Sequence, residues 1–305
     1  MNEELVVRLN DKEYANWLKA GQCLYILKDA LHPYTDEQMR VFHRALLRDN
    51  PRLGEQCPRS CQSGDVKLSR ACGLCLQWKS EILRHHRQPG STLNWDNCTP
   101  PAWRTNHWEL AKAYMPRGQA HINAAHQCDP SALLNLINFC DLFASVGVHS
   151  SHVRELIRCR NDLMHSPDLR VKEAWMKKFK VVLRRFVQLF SQVPSMAQVE
   201  PKLAQMLAVD LSICAMDAVD YHGMALAADS LDCHIHLRPE SIGQWEADLL
   251  QERLRELRHL AEDETVDTEQ LLMLDGFLQE NKDLGQRFSA ELQAISTLGT
   301  GQKKS

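Results

Sequence analysis

Two sets of residues in this 305-residue chain have types and spacings fit for chemistry. The first is Arg160, Asn161 and His165. A guanidinium is permanently charged and forks onto two phosphate oxygens, while an imidazole titrates near neutral pH and can pass a proton to or from a ribose 2′-hydroxyl or a leaving 5′-oxygen. Together they make a minimal, metal-free kit for cleaving RNA, with Arg160 on the phosphate, His165 as general acid or base and Asn161 orienting one of them. The second set is Cys57, Cys61, Cys72 and Cys75, spaced C-x3-C-x10-C-x2-C. Thiolates paired in this way wrap a single ion tetrahedrally, so the cofactor expected is one structural zinc; four thiolates leave no open position, and no catalytic metal is expected. His85, His86 and Cys98 are substitutes for one ligand, and Cys233, His234 and His236 form a weaker Cys/His run.

These side chains need elements to carry them. Ser150 or Ser151 can cap a helix whose apolar positions are Val153, Leu156, Ile157, Leu163 and Met164, so 151–165 reads as an amphipathic helix. The helix stops before Pro167, where Ser166 as cap, Pro167 and Asp168 open a new helix over 167–193. His165 then lies at a corner. It lies five positions after Arg160, about 140° and about 7.5 Å on a straight helix, so the two converge only if the corner bends back or two copies face each other across a dimer axis.

The run Arg160-Asn161-Asp162-Leu163-Met164-His165 resembles the motif of the HEPN superfamily. The resemblance implies a small helical bundle, a homodimer with the motif at its interface and, in active members, metal-independent RNA cleavage; other members bind RNA or nucleotide, or serve as adaptors. It covers about 104–193. Trp78 to His86, Trp108 to Gly118 and Arg158 to Ser166 together resemble a vertebrate family of uncharacterised proteins named after an X-chromosome open reading frame, which brings no activity with it.

Charge is unevenly spread. The net charge is -3, yet residues 151–185 carry ten Lys and Arg against four acids and residues 239–298 fourteen acids against five bases. The basic stretch suits RNA, with Arg158, Arg170, Lys172, Lys177 and Lys178 as the contacts. The acidic stretch suits protein partners, and the same charges also read as ordinary solvated helix faces. No signal peptide or transmembrane run is seen, so the eleven cysteines are read in the reducing cytoplasm or nucleus.

The expected fold is all-α. Residues 1–50 form a helical pair, 10–31 closed by His32-Pro33 and a second helix from Thr35 to Asn50; 51–103 is the Cys-rich segment, with a helix over 78–86. Trp95, Trp103 and Trp108 anchor irregular backbone. The HEPN-like four-helix bundle spans 104–193 and includes a helix capped by Asp129 with Pro130 at its first position. Residues 194–239 connect, with a helix near 202–218. Two acidic helices, 240–261 and 267–297, form the hairpin of 240–298, and 299–305 is a disordered tail. Two functions follow: a HEPN-type RNA-binding protein or metal-independent endoribonuclease, or a non-catalytic adaptor working through the bundle and the acidic hairpin.

Overall fold

A computed structural model describes residues 3–88, 93–145, 147–212, 239–262 and 267–301. The described chain is helical, with no β-strand and one isolated bridge between His86 and Cys140. The helices are α1 (Glu3–Leu9), α2 (Lys12–Asp49), α3 (Ser63–Lys67), α4 (Gly73–Arg84), α5 (His107–Ala111), α6 (Pro130–Phe139), α7 (Leu142–Ser145), α8 (Ser150–Met164), α9 (Glu173–Gln188), α10 (Val199–Ala208), α11 (Pro239–Glu262), α12 (Thr268–Glu280) and α13 (Lys282–Gly301). Among the described residues no helix is long and apolar enough to cross a membrane.

The chain divides into two compact units, the first made of Met1–Cys23, Asn161–Phe179 and Ala204–Ser305, the second of Leu24–Arg160 and Lys180–Leu203. This division does not follow the expected segments. Residues 161–179 leave the stretch read as a bundle and join the start of α2. There the Leu163 carbonyl accepts a bond from the Trp17 indole (3.0 Å), Val171 donates its N–H to Glu13 (3.0 Å) and accepts from the Asn16 amide (3.3 Å), and Arg170 pairs with Asp11 (2.6 Å).

In the first unit, leucine stripes form the apolar core. Leu249, Leu250, Leu254 and Leu257 of α11 are buried, as are Leu271, Leu274 and Leu278 of α12 and Leu284, Phe288, Leu292 and Ile295 of α13. The stretch expected as one helix from 267 is two, because Asn281 leaves helical geometry at φ -115° and ψ 89°. Its side-chain amide donates back to the Phe277 carbonyl (2.7 Å). Gly285 lets α13 start close against that break: a Cβ there would lie 2.5 Å from the Leu278 carbonyl oxygen. The tail expected to be disordered from 299 continues α13 to Gly301, and 302–305 lie outside the described residues.

A buried charge network ties the ends of this unit. Arg8 of α1, a helix absent from the sequence-based expectation, forks onto Glu246 (2.7 Å to each oxygen) and onto Asp283 (2.9 Å to each). The Tyr14 hydroxyl adds a 2.6 Å bond to Glu246. Arg8 is 6% exposed and Glu246 2%. Burial alone would push the Asp283 carboxyl up, but its bonds from Arg8 outweigh that and bring it from 3.8 to about 2.

The second unit holds most of α2. Pro33 is expected to end a helix, yet α2 runs for 38 residues through it. Proline removes one donor, the bond to the Asp29 carbonyl, and a helix this long carries the gap. Thr35 contributes as well, its hydroxyl donating to the carbonyls of Leu31 and His32 (3.1 Å each). The start of α2 is capped by Asp11, which accepts from Glu13 (2.9 Å) and Tyr14 (3.2 Å), instead of by Asn10. Asp129 caps α6 as expected, accepting from Ala132 (2.7 Å). Trp103 and Trp108 are fully buried, and Trp95 is 8% exposed. The helix expected over 108–115 is split into α5 and a 3-10 turn, Lys112–Tyr114. The one expected near 202–218 is α10, ending at Ala208; residues from 213 lie outside the described part.

Arg8→Ala would remove the guanidinium shared by two carboxylates, and breaking a buried pair in this way costs about 3–5 kcal/mol; urea unfolding of the full chain should show a loss of that order. Because the Asp283 pKa is depressed, its contribution is complete above about pH 4 and is lost as pH falls towards about 2. Acid titration of stability should show this loss in the wild type and a flatter curve in Arg8→Ala.

Candidate functional site

Cys57, Cys61, Cys72 and Cys75 converge in the second unit, their four sulfurs all lying within 4.8 Å of one another. The Cys57 sulfur is 3.7 Å from that of Cys72 and 3.6 Å from that of Cys75. None is in a disulfide, and all are buried. The segment that delivers them is short and irregular: a 3-10 turn at Pro51–Gly54, then α3, then α4, whose N-cap is Cys72. Cys57 and Cys61 flank a turn, while Cys72 and Cys75 take the cap and first turn of α4. Ser60 and Ser69 take the left-handed region, at φ 49° and 57°, one beside each pair.

Backbone donors point at the sulfurs, Cys61 N–H to Cys57 (3.5 Å) and Cys72 N–H to Cys61 (3.2 Å). Burial alone would raise the Cys57 thiol, but N–H donors from Cys61 and Arg59 and the contact with Cys75 outweigh it and bring it down to about 6. Burial pushes Cys61 and Cys75 up. The four sulfurs lie close enough together to hold one metal ion. His85, His86 and Cys98 take no part in it. The run Cys233, His234 and His236 lies outside the described residues.

The members of the Arg160 to His165 motif differ sharply in burial. A motif working on a phosphate needs Arg160 at an exposed, concave surface, but the residue is 2% exposed. It falls four residues after Leu156 and three before Leu163, on the buried stripe of α8 with Val153. That i, i+3, i+7, i+10 spacing is the core-facing register of a helix. Asn161 and His165 are exposed. Arg160 belongs to the second unit, Asn161 and His165 to the first.

Beyond His165 no helix starts at Pro167. The Ser166 hydroxyl instead closes a loop, accepting from the Arg170 N–H (3.1 Å) and donating to its carbonyl (2.8 Å), with Leu169 left-handed at φ 57°. Only from Glu173 does α9 begin. Of the residues expected to contact RNA, Arg158, Lys172, Lys177 and Lys178 are exposed. Arg170 is engaged by Asp11 (2.6 Å).

A second polar junction in the second unit escapes sequence reasoning. Arg87 N–H donates to Phe139 (2.8 Å) and Asp141 N–H to His85 (2.9 Å) around the His86–Cys140 bridge. This places the His85 ring 2.8 Å from the Asp141 carboxylate. His86 stacks on Tyr114 and Phe139 on the other side. The adjacent histidines read as substitute zinc ligands from spacing alone, whereas Phe139, Cys140 and Asp141 lie more than fifty residues ahead of them, beyond what local spacing reveals.

Fold and site together define an all-helical protein with a four-cysteine cluster able to hold a metal ion. The chain belongs to the DUF4559 family, described as a domain of unknown function, whose family model matches residues 8–301. It is similar to the mouse (Mus musculus) "Uncharacterized protein CXorf38 homolog", 36% identical over 311 residues that span 99% of this chain and 94% of the relative. No solved structure matches.

The burial difference within the motif gives a direct expectation. Arg160→Ala removes a buried charged side chain and should cost roughly 1–3 kcal/mol, while His165→Ala at the surface should stay within about 0.5 kcal/mol of wild type. Chemical denaturation of the two variants checks this.

Proposed function

We propose that the protein is a HEPN-type RNA-binding helical protein that does not cleave its ligand. The observation that carries this reading is the 2% exposure of Arg160, which keeps the phosphate-gripping member of the motif out of solvent, while Lys172, Lys177 and Lys178 stay exposed. Those three lysines are the phosphate contacts, with Arg158 a separate one. In this reading the protein works in the cytoplasm or nucleus and forms a homodimer. An ion on Cys57, Cys61, Cys72 and Cys75 is structural, since four protein ligands leave no open position for substrate. The adaptor reading draws on Leu272 and Met273, which stand 68% and 42% exposed on the acidic helix α12.

Titration of the full chain with a labelled, mixed-sequence single-stranded RNA separates the readings. Binding should weaken by roughly tenfold or more in Lys172→Glu/Lys177→Glu/Lys178→Glu, and the salt slope should fall by about 0.7 for each phosphate no longer neutralised. His165→Ala should bind as the wild type does, and the RNA should remain intact in EDTA. Absence of binding at low salt would leave the adaptor. Cleavage that His165→Ala abolishes would restore the ribonuclease.

A further inference from the structure

We infer that Cys57, Cys61, Cys72 and Cys75 hold one Zn2+, and that this ion, more than apolar packing, keeps residues 53–75 folded against α4. The inference rests on the structural-ion reading above and adds the metal and the task.

The sulfur separations suit a single zinc. A Zn2+ with four sulfurs at about 2.3 Å sets them about 3.8 Å apart along each tetrahedral edge. The observed separations are 3.7 and 3.6 Å, with no pair beyond 4.8 Å. Disulfides would need sulfurs at about 2.05 Å. A cluster of several irons would need a wider cage than one ion does. Calcium and magnesium take oxygen ligands, so soft thiolates in a closed S4 set select zinc among the common divalent ions.

The chemistry of sulfur points the same way. Four neutral thiols have little reason to gather, because S–H is a weak donor and sulfur a weak acceptor. Four thiolates without a cation would repel. The N–H groups of Cys61 and Cys72 nevertheless point at sulfur, and Cys72 and Cys75 stand at the start of α4, where the helix favours negative charge. Exposed Arg59, Lys67 and Arg70 offset part of the charge that remains, and the Arg59 guanidinium ties the two turns together through the Arg70 carbonyl (3.4 Å).

Beyond a few polar contacts, among them the Lys79 ammonium on the Val66 carbonyl and the Ser69 hydroxyl (2.8 Å each), packing along this stretch is thin. Between 51 and 72 the buried side chains other than cysteine are Leu53, Val66 and Ala71, while Leu68 is 62% exposed. So small an apolar set does not offset the ordering of about twenty residues, two of them serines in left-handed conformation. A metal clip does, since binding free energy at such a site is folding free energy. The clip also reaches the core: Trp78, one turn into α4 from Cys75, is 1% exposed, donates to the Leu53 carbonyl (3.1 Å) and stacks on His43 at 8° between planes.

The full chain, purified under reducing conditions, is tested by elemental analysis and by limited trypsin digestion at Arg59, Lys67 and Arg70, exposed within the segment, and at Arg52, exposed at its edge. One zinc per chain is expected. Stripping it with a chelator should speed cleavage at these four sites roughly tenfold or more, and added Zn2+ should restore protection. Cys57→Ser and Cys72→Ser should lose the zinc, while Cys128→Ser, a buried cysteine of the same unit outside the cluster, should keep it. Because the cluster variants can fail to fold, wild-type chain loaded with Co2+ supplies the independent readout, a tetrahedral thiolate spectrum. Intact chain without zinc, disulfides mapped among the four cysteines, or trypsin protection unchanged by chelation would each overturn the inference. A chain that holds zinc but binds no RNA leaves it standing and removes only the functional reading.

Discussion

Four cysteine sulfurs gathered within 4.8 Å are the constraint on which residues 51–75 and the start of α4 depend. They stand in for a hydrophobic core across residues 51–72 and fix where α4 begins. From there the consequences run along the helix. Trp78 is set under Leu53 and against His43; Tyr114 reaches the Ile82 carbonyl with a 2.9 Å bond; and the helix delivers His85, His86 and Arg87 to the bridge with Phe139, Cys140 and Asp141. A short helix is marginal by itself, and α4 is anchored at both ends by polar groups. His43 belongs to the same chain of neighbours, its ring 2.6 Å from the Trp103 carbonyl, and burial lowers its pKa.

The first unit uses a different polar device. Arg8, Tyr14, Glu246 and Asp283 form a network whose members are far apart in sequence, so it forms only when α1, the start of α2, α11 and the start of α13 are all in place. Burying such charges costs desolvation that their attraction offsets only with good geometry, and the two-pronged bonds of Arg8 supply it. The leucine stripes of α11 to α13 would tolerate sliding by a turn, whereas a guanidinium shared by two carboxylates would not. The network therefore fixes register where the apolar pattern leaves it loose.

Much of this is legible in the sequence wherever the cause is local. The spacing of Cys57, Cys61, Cys72 and Cys75 names the cluster, because two short turns and the chemistry of sulfur suffice. Asp129-Pro130 names the start of α6, and the leucine stripes name the C-terminal helices. The rest depends on neighbours that spacing does not reveal. Pro33 reads as a stop, but proline removes a single bond and α2 is long enough to carry the gap. Ser166-Pro167 reads as a helix start, but Ser166 bonds to Arg170 and Val171 is held by Glu13, so the chain makes a loop first. Arg160 reads as chemistry by residue type, although its place between Leu156 and Leu163 puts it on the buried stripe of α8; the signal is present, and periodicity outranks residue type there.

Whether the cysteine cluster is a metal centre is tested most directly by X-ray absorption at the zinc edge on the purified full-length protein. Four sulfur neighbours at about 2.3 Å, with no nitrogen or oxygen in the shell, is the expected result. A shell containing nitrogen or oxygen, or zinc that washes away and leaves no sulfur signal, would contradict it.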